Sequence, residues 1–177
     1  MALICIGSVC FSLFHIGIII LFIINYFSSH LKKLFYHFFP NNNELDSEIK
    51  SILQLKKKNK EYEESRYIEL QKNECLKEIF SSTKNLSVVL KFSSMWCKPC
   101  NNVKEYFKSQ TDFFDVTLVS IDVDIHKKLM ESHKIRALPT FEFYFLLKNE
   151  WIITCRIEGG NKNEIEKAFQ KYCLPKE

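Results

Sequence analysis

The sequence predicts an α/β domain, a central mixed β-sheet with helices on both faces, behind an N-terminal transmembrane helix. Three observations lead there. From Arg66 onward, apolar runs rich in β-branched residues alternate with helix-period segments, the pattern that layers helices on a largely parallel sheet. Residues 141–147 and 151–157 are rich in aromatic and β-branched residues, with Lys148-Asn149-Glu150 between them. They read as an antiparallel hairpin that makes the sheet mixed. Residues 2–27 hold no Asp, Glu, Lys or Arg, and about twenty apolar residues are enough to cross a bilayer as a helix.

The chain has 177 residues, enough for one ordinary domain plus appendages. Its lysines are scattered among acids and the formal charge is only +4, so no nucleic-acid patch is read. The seven cysteines are an odd number and cannot all pair within the chain. Only one Cys-x-x-Cys exists, so a four-cysteine zinc site has no second half. Cys75, Cys155 and Cys173 stand alone without metal-ligand spacing and read as small buried apolar residues. No metal, flavin or nucleotide motif is present, so no cofactor is expected.

Taken in order, residues 1–30 read as a transmembrane signal-anchor, most apolar at Ile18-Ile19-Ile20-Leu21-Phe22-Ile23-Ile24. Tyr26, Phe27 and Tyr36 suit the interface, and Lys32 and Lys33 the headgroups. A cleaved signal peptide fits less well, because a charged n-region and a small-x-small site are missing. His15 inside the span reads as a neutral imidazole near a helix end. The two lysines after the span place the following domain in the cytosol by the positive-inside rule. An endomembrane lumen is the alternative, and the sequon Asn85-Leu86-Ser87 would be used only there.

Residues 31–64 read as a stem. Asn41-Asn42-Asn43 can open a helix whose Leu45, Ile49, Ile52 and Leu53 recur on one face. The lysine-rich residues 56–60 and the glutamates after them have no apolar face and read as solvated. Residues 65–177 form the domain. A short strand at residues 66–70 precedes a helix over residues 73–80, capped by Asn73 and burying Cys75, Leu76, Ile79 and Phe80. An apolar strand over residues 88–92 leads into Trp96-Cys97-Lys98-Pro99-Cys100. Val103, Tyr106 and Phe107 give the next helix an apolar face. A second apolar strand follows at residues 116–123, then a short helix ending near His133. After the hairpin, Gly159-Gly160 breaks the chain before a last helix with Ile165, Ala168, Phe169 and Tyr172 on one side.

Two cysteines separated by two residues at a strand-to-helix junction are the layout of a dithiol–disulfide redox site. Cys97 falls at a helix start, where free N–H groups favour a thiolate. Cys100, one turn in, can reach it and resolve a mixed disulfide.

The element order, Trp96 to Cys100 after Val88-Val89-Leu90-Lys91-Phe92, Ile121-Asp122-Val123-Asp124, Leu138-Pro139-Thr140-Phe141 and Gly159-Gly160-Asn161 together resemble thioredoxin, over about residues 66–173. The resemblance implies that Cys97 is the nucleophile and Cys100 the resolving thiol. It implies that Pro139 is a cis-proline facing the sulfurs, presenting backbone with Leu138 to a substrate cysteine, and that Trp96 shapes the docking surface. Asp122 and Asp124 read as a strand-end turn, and Trp151 as strand packing.

Lys91 departs from the family, which usually carries a buried Asp there. Pointing inward, it would be pushed towards its neutral form; charged near the sulfurs, it would favour thiolate. In a third reading its stem packs and its head reaches water. Lys98 adds positive charge in the oxidising sense, whereas Pro99 fits the reducing end of the family. Glu105 replaces a usual kinking proline, so a straighter helix is expected. The activity implied is protein-disulfide reduction, recycled by an external reductase or dithiol. The alternatives are a luminal oxidase or isomerase, and a membrane-tethered adaptor that binds without turnover.

Overall fold

The computed structural model describes residues 3–6, 9–12, 42–59 and 65–176. The chain divides into two compact units, Met1–Ser47 and Glu48–Glu177. In the first, β1 (Leu3–Ile6) pairs antiparallel with β2 (Val9–Ser12), Leu3 opposite Ser12. The start of the expected membrane helix is therefore a hairpin. Ile4, Ile6 and Val9 are β-branched, which favours extended backbone over helix. The rest of that apolar run lies outside the described residues. Among the described residues, no helix is long and apolar enough to cross a membrane.

Helix α1 (Asn42–Asn59) carries Glu44 in its first turn, where an acid suits the helix dipole. In the second unit it is more than a solvated stem. Ile49, on the expected apolar face, is fully buried, and Glu48 pairs with Lys148 at 3.0 Å.

The second unit holds a five-stranded sheet in the order β3 (Arg66–Glu69), β6 (Thr117–Asp122), β4 (Ser87–Ser93), β7 (Thr140–Leu147), β8 (Glu150–Glu158). β3 and β4 run parallel to β6, while β7 is antiparallel to both β4 and β8, giving the expected mixed sheet. β4 is central and almost wholly buried, as befits a strand covered on both faces. Its alternation sorts the core. Val88, Leu90 and Phe92 join Leu76, Ile79, Val119, Ile121 and Ile135 in one cluster. On the other face, Phe107 meets Phe141 and Phe169, and Phe169 meets Phe143 and Phe114. These aromatics come from α4 (Lys104–Phe113), α6 (Lys162–Tyr172), β7 and β5 (Phe114–Asp115). Trp151 packs edge-on against Phe80, a strand-packing role as read from sequence.

Helix α2 (Leu76–Ser82) starts later than the sequence suggests. Asn73 does not cap it. Instead, the Glu74 carboxylate accepts from the Gln71 N–H at 2.7 Å and the Gln71 carbonyl from the Glu74 N–H at 3.0 Å, which closes a turn ahead of the helix. Cys75 is then the residue before the first turn and is exposed rather than buried. The hairpin between β7 and β8 turns on Lys148 and Asn149, both with positive φ (51° and 66°), the backbone that suits a two-residue hairpin loop. A short pair, β5 (Phe114–Asp115) with β9 (Leu174–Pro175), closes the end of the chain onto the domain. Asn85 of the sequon is buried at 4% exposure, and its side-chain nitrogen donates to Thr117 Oγ1 at 3.1 Å.

Candidate active site

β4 ends at Ser93, and the chain turns through Ser94, Met95 and Trp96 into α3 (Lys98–Asn102). Pro99 lies in the first turn of α3, where its missing N–H is not needed by the helix. Cys97 is the residue capping that turn, and its sulfur accepts from the Cys100 N–H at 3.2 Å. Cys97 and Cys100 are joined in a disulfide with S–S 1.98 Å. Cys97 keeps 4% of its surface exposed while Cys100 keeps none. Only Cys97 can be attacked from outside, so the geometry separates an outer from an inner sulfur.

The helix expected after Cys100 is not straighter. It breaks at Val103, whose φ and ψ are −109° and 1°, and resumes as α4. Proline is not needed for the break. Val103 is buried, and its side chain is one of three groups crowding Gly160. A Cβ at Gly160 would stand 3.4 Å from the Pro99 carbonyl oxygen, 3.4 Å from Val103 Cγ1 and 3.9 Å from Pro139. Gly160 thus lets the bend between β8 and α6 pass close to both prolines of the site.

The Leu138–Pro139 peptide bond is cis. Pro139 is held by its carbonyl, which accepts from the Gly159 N–H at 2.7 Å, and the Thr140 hydroxyl donates to the Ala137 carbonyl at 2.7 Å. A groove of about 550 Å³ runs along Cys97, lined by Trp96, Pro99, Ile135, Arg136 and Leu138 among others. Trp96, 73% exposed, forms one wall and Leu138 the other. Val123, Met130 and Ile135 add apolar lining to this groove, while Lys98, Asp124 and Arg136 add charge. The Trp96 indole N–H donates to Asp124 Oδ2 at 3.0 Å, and Ser94 donates to the same oxygen at 2.7 Å. Asp122 accepts from the Asp124 N–H at 2.9 Å. The strand-end turn read from sequence is therefore present, and it also orients Trp96.

On the far side of the disulfide, a second cavity of about 370 Å³ reaches Cys100. Lys91, Ser120, Asp122, Glu69 and Lys104 also line it. Lys91 points inward and is 2% exposed, so the reading in which its head reaches water does not hold. Its ammonium lies 5.7 Å from the centre of the Phe107 ring. Burial first, and then the neighbouring Lys104 charge, push Lys91 down to about 8. The side chain therefore still carries charge at pH 7. A cation in a cavity shared with the inner sulfur favours its thiolate. Lys98, between the cysteines, is exposed and adds charge at the mouth. Cys173 is fully buried and burial pushes its thiol up, which leaves it unreactive. Among the described residues no cluster of His, Cys, Asp and Glu could hold a metal ion.

Sequence reasoning missed one feature beside the groove. Glu142, fully buried in β7, gathers His133, Tyr144 and Arg156. Its only signal in the sequence is a carboxylate set between two phenylalanines in a strand.

Known proteins with this arrangement are numerous in kind but consistent. The thioredoxin family model matches residues 66–171. The chain is 64% identical over 178 residues to Thioredoxin 3 of Plasmodium falciparum (isolate 3D7), covering 99% of each chain. Among solved structures it is similar to a Plasmodium falciparum thioredoxin crystal structure, with TM-score 0.62 and 59% identity over 64% of this chain and 93% of that one. It is also similar to the reduced Schistosoma mansoni thioredoxin, with TM-score 0.54 and 27% identity over 60% of this chain and 98% of that one.

Proposed function

Because this chain belongs to the thioredoxin family and is a protein thiol–disulfide oxidoreductase, we propose that it reduces disulfides of protein substrates through Cys97 and Cys100. The observation that carries the reading is the asymmetry of the pair: an outer sulfur opening on an apolar groove and an inner sulfur with no exposure. In the reduced enzyme, the Cys97 thiolate attacks one sulfur of a substrate disulfide docked between Trp96 and Leu138. A mixed disulfide forms and one substrate thiolate leaves. Cys100 gives up its proton and attacks the Cys97 sulfur. The second substrate thiolate leaves and the internal disulfide closes, so the substrate gains the two electrons that the enzyme loses. An external dithiol or reductase returns them. In this reading, backbone beside Pro139 pairs with the substrate chain, since a proline N cannot donate but the neighbouring groups can.

Lys91 sets the poise in this reading. A charge that favours the Cys100 thiolate stabilises the reduced form and makes the couple more oxidising. The couple then lies above the value of about −270 mV typical of thioredoxin, towards about −180 mV. That same observation favours the second reading, an oxidase or isomerase in an oxidising compartment. Equilibration of the reduced enzyme with glutathione buffers decides between them. A potential at or below the thioredoxin value removes the oxidising reading, and failure to reduce insulin removes the reductase.

Membrane attachment rests on composition, namely the absence of charged residues over residues 2–27. Retention of the full chain in the pellet after carbonate extraction supports it; release into the supernatant overturns it.

A further inference from the structure

We propose that Glu142 is a positioning residue for substrate docking: its buried carboxylate fixes the loop from His133 to Pro139 that forms one wall of the groove at Cys97. The inference rests on the disulfide-exchange reading above and adds a part of the machinery to it.

Glu142 sits on β7 between Leu90 of β4 and Arg156 of β8 and has no exposed surface. Its Oε2 accepts from His133 Nδ1 at 2.7 Å and from the Tyr144 hydroxyl at 3.0 Å. Its Oε1 pairs with the Arg156 guanidinium. The same Arg156 nitrogen donates to the His133 carbonyl at 2.7 Å. His133 is thus gripped twice, by its ring and by its backbone, through one carboxylate.

His133 is where the docking loop begins. It ends helix α5 (Lys127–Ser132), and Lys134 after it has a φ of 52°, so the chain changes direction at the gripped residue. Ile135, Arg136, Ala137 and Leu138 then line the groove. The other end of the loop is held at Thr140 and at the Pro139 carbonyl. The His133 ring also lies 5.1 Å from Phe92, which ties the start of the loop to the central strand. With both ends fixed, the wall facing Trp96 has one width.

Stability alone does not explain the carboxylate. A buried ion pair costs desolvation that an apolar side chain of similar size avoids, and such replacements are often neutral or stabilising. Glu142 stands opposite Leu90 in the sheet, and its partner His133 lies against Phe92, so the carboxylate occupies a place where an apolar residue would pack. What an apolar residue cannot do is hold His133. A preformed wall reduces the ordering cost of docking a substrate chain.

The test compares wild type with Glu142→Met and Glu142→Gln in the full chain. Both variants are to be turned over on insulin and on a small aromatic disulfide, with amide exchange of residues 134–138 followed alongside. We expect KM for insulin to rise about tenfold in Glu142→Met, the loss of one or two buried hydrogen bonds from docking. We expect kcat on insulin and the rate on the small disulfide to stay as in wild type, and the loop amides to exchange faster. Glu142→Gln, which keeps one acceptor, should fall between. Arg156→Lys, a milder change at the partly exposed end of the network, should raise KM by a smaller factor if Glu142→Met folds poorly. An unchanged KM with unchanged loop exchange overturns the proposal, as does an equal loss on both disulfides. A wild type inactive on the small disulfide sinks the exchange reading itself, and loop exchange in Glu142→Met then still decides whether the carboxylate holds the loop.

Discussion

The Lys91 ammonium stands 5.7 Å from the centre of the Phe107 ring, on a side chain that keeps only 2% of its surface exposed. The ring face offsets part of the desolvation, and burial still dominates, bringing Lys91 from its ordinary 10.5 to about 8.

Replacing Lys91 by Met should therefore stabilise the domain at neutral pH. The unfolded chain holds the lysine proton up to pH 10.5, whereas the folded chain releases it near 8. The cost of burying the charge is full below pH 8 and is relieved as pH rises to 10.5, so wild-type stability climbs across that window. The drop corresponds to about 3 kcal/mol, an upper value for the gain in Lys91→Met at pH 7. Urea unfolding at pH 7, 9 and 10.5 checks it: the gain should shrink at each step. A loss of stability at pH 7 would contradict the burial argument.

The same substitution should make the Cys97–Cys100 couple more reducing. Without the cation, the Cys100 thiolate loses its partner and the dithiol form is less favoured. A shift of about −30 mV corresponds to a tenfold change in the equilibrium with glutathione. An unchanged potential in Lys91→Met would mean that the charge does not reach the sulfurs.

Asp124→Ala should loosen Trp96. The carboxylate holds both the indole N–H and the Ser94 hydroxyl, and Ser94 is buried. We expect a stability loss of about 1–2 kcal/mol from the stranded hydroxyl and a severalfold rise in KM for protein disulfides. Trp96→Ala should raise KM similarly, and the double variant should add little beyond either one. Additive effects of the two would separate the residues.

Acid should reveal Glu142. Burial alone would raise its carboxyl, but hydrogen bonds and charge from His133, Arg156 and Tyr144 outweigh it and hold it below the ordinary 4.5. Its contribution is then present above pH 4.5 and is lost as pH falls through the lower folded value. Wild type should be more stable than Glu142→Gln at pH 6, with the difference closing below pH 4.5. A difference independent of pH would argue against an ionised Glu142.

The order of the five sheet strands was legible because they carry β-branched or aromatic residues, whereas the short pairs β1–β2 and β5–β9 carry no such signal that sets them apart. Cys97, Cys100 and the Leu138-Pro139-Thr140 stretch were legible because local motifs carry them. Glu142 was not, since its meaning lies in His133, Tyr144 and Arg156, partners brought together only by the pairing of β7 with β8 and the end of α5. Asn73 is a good cap by sequence and points to a helix that includes Cys75; the Gln71–Glu74 turn instead carries the chain past it. The break at Val103 carries no proline, and only the close approach of Gly160 shows why that position is crowded. At the N-terminus, an apolar run of suitable length suited a helix as well as a strand, and periodicity alone does not separate the two.

Burial of Asn85 bears on how the compartment of this domain can be found. The side-chain nitrogen that would carry a sugar is spent on Thr117 within the fold, so a bare sequon there reports folding and not compartment. Cys75→Ser would write a fresh acceptor triplet beginning at Asn73, on the exposed turn ahead of α2. A shift in gel mobility that collapses on endoglycosidase treatment would then place the domain in a glycosylating compartment, using a position the fold leaves open.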